Sequence, residues 1–288
     1  MELLEVKNLS KHYKTFDLKD ISFTLPRGYI MGYVGPNGSG KTTTLNLITG
    51  ILKCGGGEVY IDGRTCKEDV TGYREQIGYV GDESYFPDNF TAKEIRRVLK
   101  YFYSTFSEEK FNGFLKKWNL PEKKQVKDYS RGMKVMLMFA SVLSRDTKLL
   151  VLDEATNGLD PMMRTEILKL LQEYVMDGRR SVIFSTHILS DLEHIADYIY
   201  FIDEGRTILY DAKDELIENF LLVKGESGAV PPALRQELIG LEENAYGFEA
   251  ILPSEKAELL GNAFLVEKPT IDNIVIHFIR NRENGNYV

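Results

Sequence analysis

Ile30-Met-Gly-Tyr-Val34-Gly35-Pro-Asn37-Gly38-Ser39-Gly40-Lys41-Thr42-Thr43 runs from an apolar stretch through a glycine-rich turn into a helix-forming one. Its second half matches the spacing G-x-x-x-x-G-K-[ST] of a phosphate-binding loop. Gly35, Gly38 and Gly40 leave the backbone free to turn its amides inward onto an anion. A helix beginning at Lys41 adds the partial positive charge of its N-terminus at the same point. Lys41 is expected to bridge β- and γ-phosphates and Thr42 to offer its hydroxyl to Mg²⁺, with Asn37, Ser39 and Thr43 completing the cradle. The ligand class is a nucleotide.

Outward from this loop, short apolar runs alternate with helical periodicity, the pattern of an α/β domain. Strands are expected at Leu3–Val6, Ile30–Val34, Val59–Ile61, Ile77–Val80, Leu149–Leu152, Val182–Phe184 and Ile199–Ile202. The continuously apolar runs at 149–152 and 182–184 suit parallel strands buried on both faces. Helices are expected at Lys41–Ile51, Lys93–Tyr103, Glu108–Trp118, Gly132–Leu143, Pro161–Val175 and Asp191–Ala196. Leu149-Leu-Val-Leu-Asp153-Glu154 places two acids at the carboxyl edge of such a sheet, where ligands of open α/β sheets bind. Asp153 can hold the Mg²⁺ shell, and Glu154 can polarise a water for in-line attack on the γ-phosphate.

Residues 84–146 read as a helical insertion into this core. Tyr85, Phe86, Phe90, Tyr101, Phe102, Tyr103, Phe106, Phe111, Phe114 and Trp118 crowd its first half, enough large side chains for a small core of its own. Asp82–Phe90, which directly follows a core strand and leads into this insertion, is expected to leave an aromatic-lined groove for a partner's helix. After Asp214 the pattern changes again: strands at Phe220–Lys224 and Phe248–Leu252, a helix at Pro232–Leu238, and a last helix capped by Thr270. These make a small α+β appendage without a chemical motif, and Asn284–Val288 is expected to fray.

Composition narrows the function. The 288 residues are 43% hydrophobic and 27% charged, so the chain can bury a core. A net charge of −7 argues against broad nucleic-acid binding, and two cysteines, Cys54 and Cys66, make neither a disulfide framework nor a zinc cluster. No apolar run reaches the roughly 18–20 residues of a bilayer span, and Met1–Tyr13 lacks the character of a secretory signal. Reduced thiols fit a cytosolic setting.

Seven segments together resemble, in order, the nucleotide-binding subunits of ABC transporters. Tyr13 stands where that family places an aromatic on adenine, Gly35–Thr43 is similar to Walker A, and Leu149–Glu154 to Walker B with its glutamate. Tyr129-Ser130-Arg131-Gly132-Met133 resembles the signature loop, Asn157-Gly-Leu-Asp160 the D-loop and Ser185-Thr-His187 the switch histidine. The resemblance covers about residues 1–213 and implies a P-loop NTPase core of mainly parallel sheet with an antiparallel portion. The accessory domain then spans 214–288. It further implies ATP and Mg²⁺ as cofactors and catalysis by Glu154 and His187. Nucleotide contacts would come from Tyr13, the phosphate loop, Ser130, Gly132 and Asp160. ATP would glue two such subunits, identical or homologous, each signature loop closing on the other's γ-phosphate.

Three departures from the pattern stand out. The signature carries Tyr129, Arg131 and Met133 where Leu, Gly and Gln are usual, and Ala155 replaces a frequent Pro. After Ile77–Val80, Gly81-Asp82 stands at the Q-loop position where Pro-Gln or Pro-Glu is expected; Asp82 can still meet Mg²⁺ through an oxygen but cannot donate a hydrogen bond as an amide does. The resemblance, signature and appendage included, points to an exporter subunit bound peripherally to the inner face of the cell membrane through a separate integral-membrane protein, with no nucleic acid. The rival readings are a soluble ABC-type ATPase working on ribosomes or nucleic acid, and an ATP-sensing binding module.

Overall fold

The computed structural model describes residues 2–261 and 264–283; the expected fraying of 284–288 lies outside them. The chain divides into two compact units, residues 1–187 with 202–208, and residues 188–201 with 209–288. Segment 188–201 thus goes with the C-terminal residues, unlike a single cut near 213.

The first unit carries two sheets. Ile30–Val34, Ser181–Ser185, Leu149–Asp153 and Ile77–Val80 lie side by side in that order, all parallel. The first three of these strands are buried at every position, which is why their sequences lack alternation. The second sheet is antiparallel, in the order Asp17–Pro26, Glu2–His12, Gly56–Ile61, Arg64–Thr65. Its strand Asp17–Pro26 was not expected. Leu18, Ile21, Phe23 and Leu25 face the core, but Asp20 adopts a φ of 53° and breaks the alternation between Leu18 and Ile21. Such a bulge hides a strand from any reading of period two. The strand Glu2–His12 also runs well past the expected Val6, through register shifts that let it continue.

Between 84 and 146 the structure is helical, as expected: Ala92–Phe102, Glu108–Lys117, a short 3₁₀ turn at Val126–Asp128, and Arg131–Leu143. Each α-helix begins at a side-chain cap. Thr91 and Glu94 form a reciprocal capping box, and Ser107 and Ser130 accept from the amides of Lys110 and Met133. The lobe's core is more aliphatic than its sequence suggests. Phe111 is fully buried with Ile95, Leu99 and Leu115, whereas Tyr101 and Phe102 stand exposed.

The second unit contains a four-stranded antiparallel sheet ordered Ile239–Asn244, Gly247–Pro253, Phe220–Gly225, Leu265–Glu267. Val223, Leu234, Phe248, Ala250 and Leu252 form one of its cores. Helix Ile271–Glu283 starts at Thr270, whose hydroxyl accepts from the Asn273 amide at 3.1 Å. Its buried His277 meets the Gly240 carbonyl at 2.8 Å and the Glu249 carboxylate at 3.2 Å. The expected helix from Pro232 stops at Arg235, and two strands and the helix Lys213–Asn219 went unforeseen. No helix among the described residues is long and apolar enough to cross a membrane.

Candidate functional site

The phosphate loop emerges from the strand Ile30–Val34 and enters helix Lys41–Ile48. Two glycines are obligatory. Gly40, the helix cap, has a φ of 107°, and a Cβ on Gly35 would come within 2.2 Å of the Ile202 carbonyl oxygen. The helix ends at Ile48, short of the expected Ile51, because Gly50 follows at φ 69°.

Lys41 is buried along the loop it serves. Its ammonium donates to the carbonyls of Gly35 at 2.8 Å and Pro36 at 3.1 Å. It also lies 3.9 Å from the Glu154 carboxylate. Burial pushes its pKa down, against the opposing charges of Glu154 and Asp153.

Asp153 ends its strand buried, and this burial raises its pKa; a hydrogen bond from Thr42 works the other way. Among the described residues, its Oδ1 has no hydrogen-bond partner, nor have the hydroxyls of Ser39 and Ser185. A buried carboxylate oxygen without a donor is costly unless something positive meets it. Thr42 and Asp153 together therefore suit a hard divalent cation with oxygen ligands.

Glu154 is placed with unusual care. Its φ of 55° lies in the left-handed region that non-glycine residues avoid. Its amide donates to the Ser185 carbonyl at 3.0 Å, its Oε1 meets His187 Nε2 at 2.6 Å, and its Oε2 accepts from Asn157 Nδ2 at 2.9 Å. The segment 185–187 and nearby Asn157 thus hold Glu154 beside Lys41.

Other expected residues lie elsewhere. Ser130 is exposed at the start of helix Arg131–Leu143, and Gly132 abuts Met163, whose sulfur would be 2.4 Å from a Cβ there. Tyr129 is buried, its hydroxyl donating to the Pro121 carbonyl at 2.7 Å, and burial pushes its pKa up to about 12. Asp160 caps helix Pro161–Val175 through the Met163 amide at 3.0 Å. Asp82, expected at the metal, pairs its carboxylate with Arg131, and its charge is felt by Asp153. Tyr13 is partly exposed just beyond strand Glu2–His12, with the Lys11 ammonium 5.8 Å from its ring centroid.

Two neighbours were missed. Asn157 holds Glu154, whereas the sequence pointed to Asp160 of the same motif; the Asp-Pro pair at 160–161 is itself a helix-start signal. Phe16 lies against the loop, its ring 2.8 Å from where a Cβ on Gly40 would stand.

Comparison with known proteins identifies the family. The family model described as ABC transporter matches residues 18–157. The lantibiotic transport ATP-binding protein SrtF of Streptococcus pyogenes is 35% identical over 225 residues, covering 76% of this chain and 96% of that protein. The ABC transporter ATP-binding protein YtrB of Bacillus subtilis is 30% identical over 274 residues, 94% of this chain and 93% of its own length. A solved dimeric ATP-binding cassette, described as a post-hydrolysis state bound to ADP and Pi, overlays with a TM-score of 0.65 at 26% identity. It covers 73% of this chain and 98% of that one. With the phosphate loop, the paired acids and the histidine brought to one sheet edge, the chain belongs to the ATP-binding subunits of ABC transporters.

Proposed function

We propose that this ATPase subunit works as an ATP-closed dimer, with itself or a homologous subunit, and drives a separate integral-membrane exporter from the cytoplasmic face. The observation that carries the reading is the Glu154 carboxylate, held by His187 and Asn157 beside Lys41 at the phosphate loop. Glu154 takes the proton of the attacking water, and His187 holds that carboxylate and reaches toward the γ-phosphate. Lys41, now on its own loop's carbonyls, turns to the β- and γ-phosphates when ATP enters. Thr42 and Asp153 would hold Mg²⁺, which would supply positive charge against the phosphates. Ser130 and the first turn after it serve the partner's nucleotide. Tyr13 flanks the adenine, and residues 214–288 act as an accessory domain.

Export is supported by relatives such as SrtF, which is named for lantibiotic transport. The rival readings on ribosomes or nucleic acid lack any comparable support. The membrane contact is placed at a hollow of about 430 Å³ lined by Ile51, Arg74, Tyr79, Tyr85, Tyr103 and Arg145, among others. Tyr85 is half-exposed there, while its hydroxyl lies 3.2 Å from both the Tyr79 carbonyl and the Ser141 hydroxyl. An amphipathic helix of the membrane subunit fits such a groove. The test is co-purification of the chain with a polytopic membrane protein, repeated with Tyr85→Ala. Co-purification lost on substitution, with turnover of the isolated chain within a few fold, supports the reading. A chain that recovers no membrane partner in either form contradicts it.

A further inference from the structure

Three loops read separately in the sequence meet at one side chain. Arg131, the first residue of helix Arg131–Leu143, donates from Nη2 to Asp82 Oδ1. Its Nε, Cζ and Cδ run along Gly158, at 3.4, 3.6 and 3.7 Å from where a Cβ would stand. Asp82 closely follows Ile77–Val80, whose Val80 is paired with Leu152, the residue before Asp153. Gly158 adjoins Asn157, which holds Glu154. Arg131 therefore links the signature helix to both segments that flank the chain's own carboxylates. Asp82 and Arg131 both stand at positions where this chain departs from the resembled pattern.

Stability does not explain the pair. Their side chains are 48% and 46% exposed, and an ion pair so wet contributes little to folding. Glu83, Asp88 and Lys134 line the same hollow, and Lys134 lies 3.8 Å from Asp88. Arg131 thus has other acids within its surroundings, yet it is directed to Asp82.

We propose that Asp82 and Arg131 act together as positioning residues, setting the signature loop of one subunit according to the state of that subunit's own nucleotide site. Displacement of the strand end at Asp82 moves Arg131, and with it Ser130 and the helix N-terminus offered to the partner's ATP. The two sites of the dimer are then coupled through each chain. This rests on the ATP-closed dimer proposed above.

The test compares the full chain with Asp82→Ala, Arg131→Ala, the double variant and Arg131→Lys. It measures affinity for a fluorescent ATP analogue, turnover at saturating ATP, and melting temperature. Each alanine variant is expected to lose roughly tenfold in turnover, with affinity and melting temperature essentially unchanged. Residues acting as a unit are non-additive, so the double variant should lose no more than the worse single. Arg131→Lys, which keeps the charge but not the planar packing on Gly158, should recover part of the loss. Losses that multiply in the double variant overturn the proposal, as does a fall in melting temperature that tracks the fall in turnover. Single variants that turn over like the unchanged chain also overturn it. If the unchanged chain binds the analogue but forms no ATP-dependent dimer, the dimer reading fails and the proposal with it.

Discussion

Glu154 owes its position to its backbone as much as to its neighbours. A non-glycine residue held at φ 55° persists only where the surroundings impose it, at a cost on the order of 1–3 kcal/mol. His187 and Asn157 each fix one carboxylate oxygen, so the side chain has little freedom left. Asn157→Ala frees one oxygen while leaving Lys41 and the loop intact. Turnover should fall roughly tenfold with little change in ATP affinity, as for a misaligned base; steady-state kinetics beside equilibrium binding would show it, and equal losses in both would mean that Asn157 shapes the pocket instead. At this scale Lys41, Thr42, Asp153, Glu154 and His187 were legible because each sits at a fixed offset from a strand end or a loop glycine. The Asp82–Arg131 pair was not, since no spacing rule joins residues 49 positions apart. Phe16 was hidden for the same reason.

Among the elements, Asp62 does the work of a rivet. It follows strand Gly56–Ile61 and pairs with Arg27, just after Asp17–Pro26, and with Lys148, just before Leu149–Asp153. The antiparallel and parallel sheets are thereby tied at one carboxylate. The Lys148 hydrogen bond, aided by Arg27 and opposed by burial, holds its pKa below the ordinary 3.8. A lowered carboxylate stabilises the fold above its ordinary value, and that contribution is lost as pH falls through the folded value. Asp62→Asn, which tolerates the residue's positive φ of 51°, should cost about 1–2 kcal/mol near neutral pH. That is a fall of roughly 2–8 °C in melting temperature. The gap between the two proteins should begin to narrow only as pH falls through the ordinary 3.8 and vanish below the lowered folded value; a gap that persists in still stronger acid would show that the charge is not what stabilises. Buried parallel strands were easy to read at this scale, since Leu149–Asp153 and Ser181–Ser185 announce themselves by continuous apolar sequence. The edge strand Asp17–Pro26 was not, because its bulge at Asp20 sets Lys19 and Asp20 side by side on the outside.

For the whole molecule, the family's motifs fall within the first unit, and the helical insertion carries the surface that would face a partner's nucleotide. The C-terminal unit was only half legible: its short strands Ile239–Asn244 and Leu265–Glu267 are charged and partly exposed, so no apolar pattern marks them. The organisation follows from an incomplete site. Ser130 and the N-terminus of helix Arg131–Leu143 are exposed, and in the proposed ATP-closed dimer they would complete the partner's site.

That arrangement is tested most directly by trapping it. Glu154→Gln keeps the size and hydrogen bonding of the side chain but removes the base, so hydrolysis should fall roughly 10²–10³-fold while ATP still binds. Sedimentation velocity of this variant with Mg²⁺ and ATP should then show a dimer that is absent with ADP, and that is lost again when Ser130→Arg blocks the signature face. A variant that stays monomeric with saturating ATP, or dimerises equally with ADP, would contradict the account.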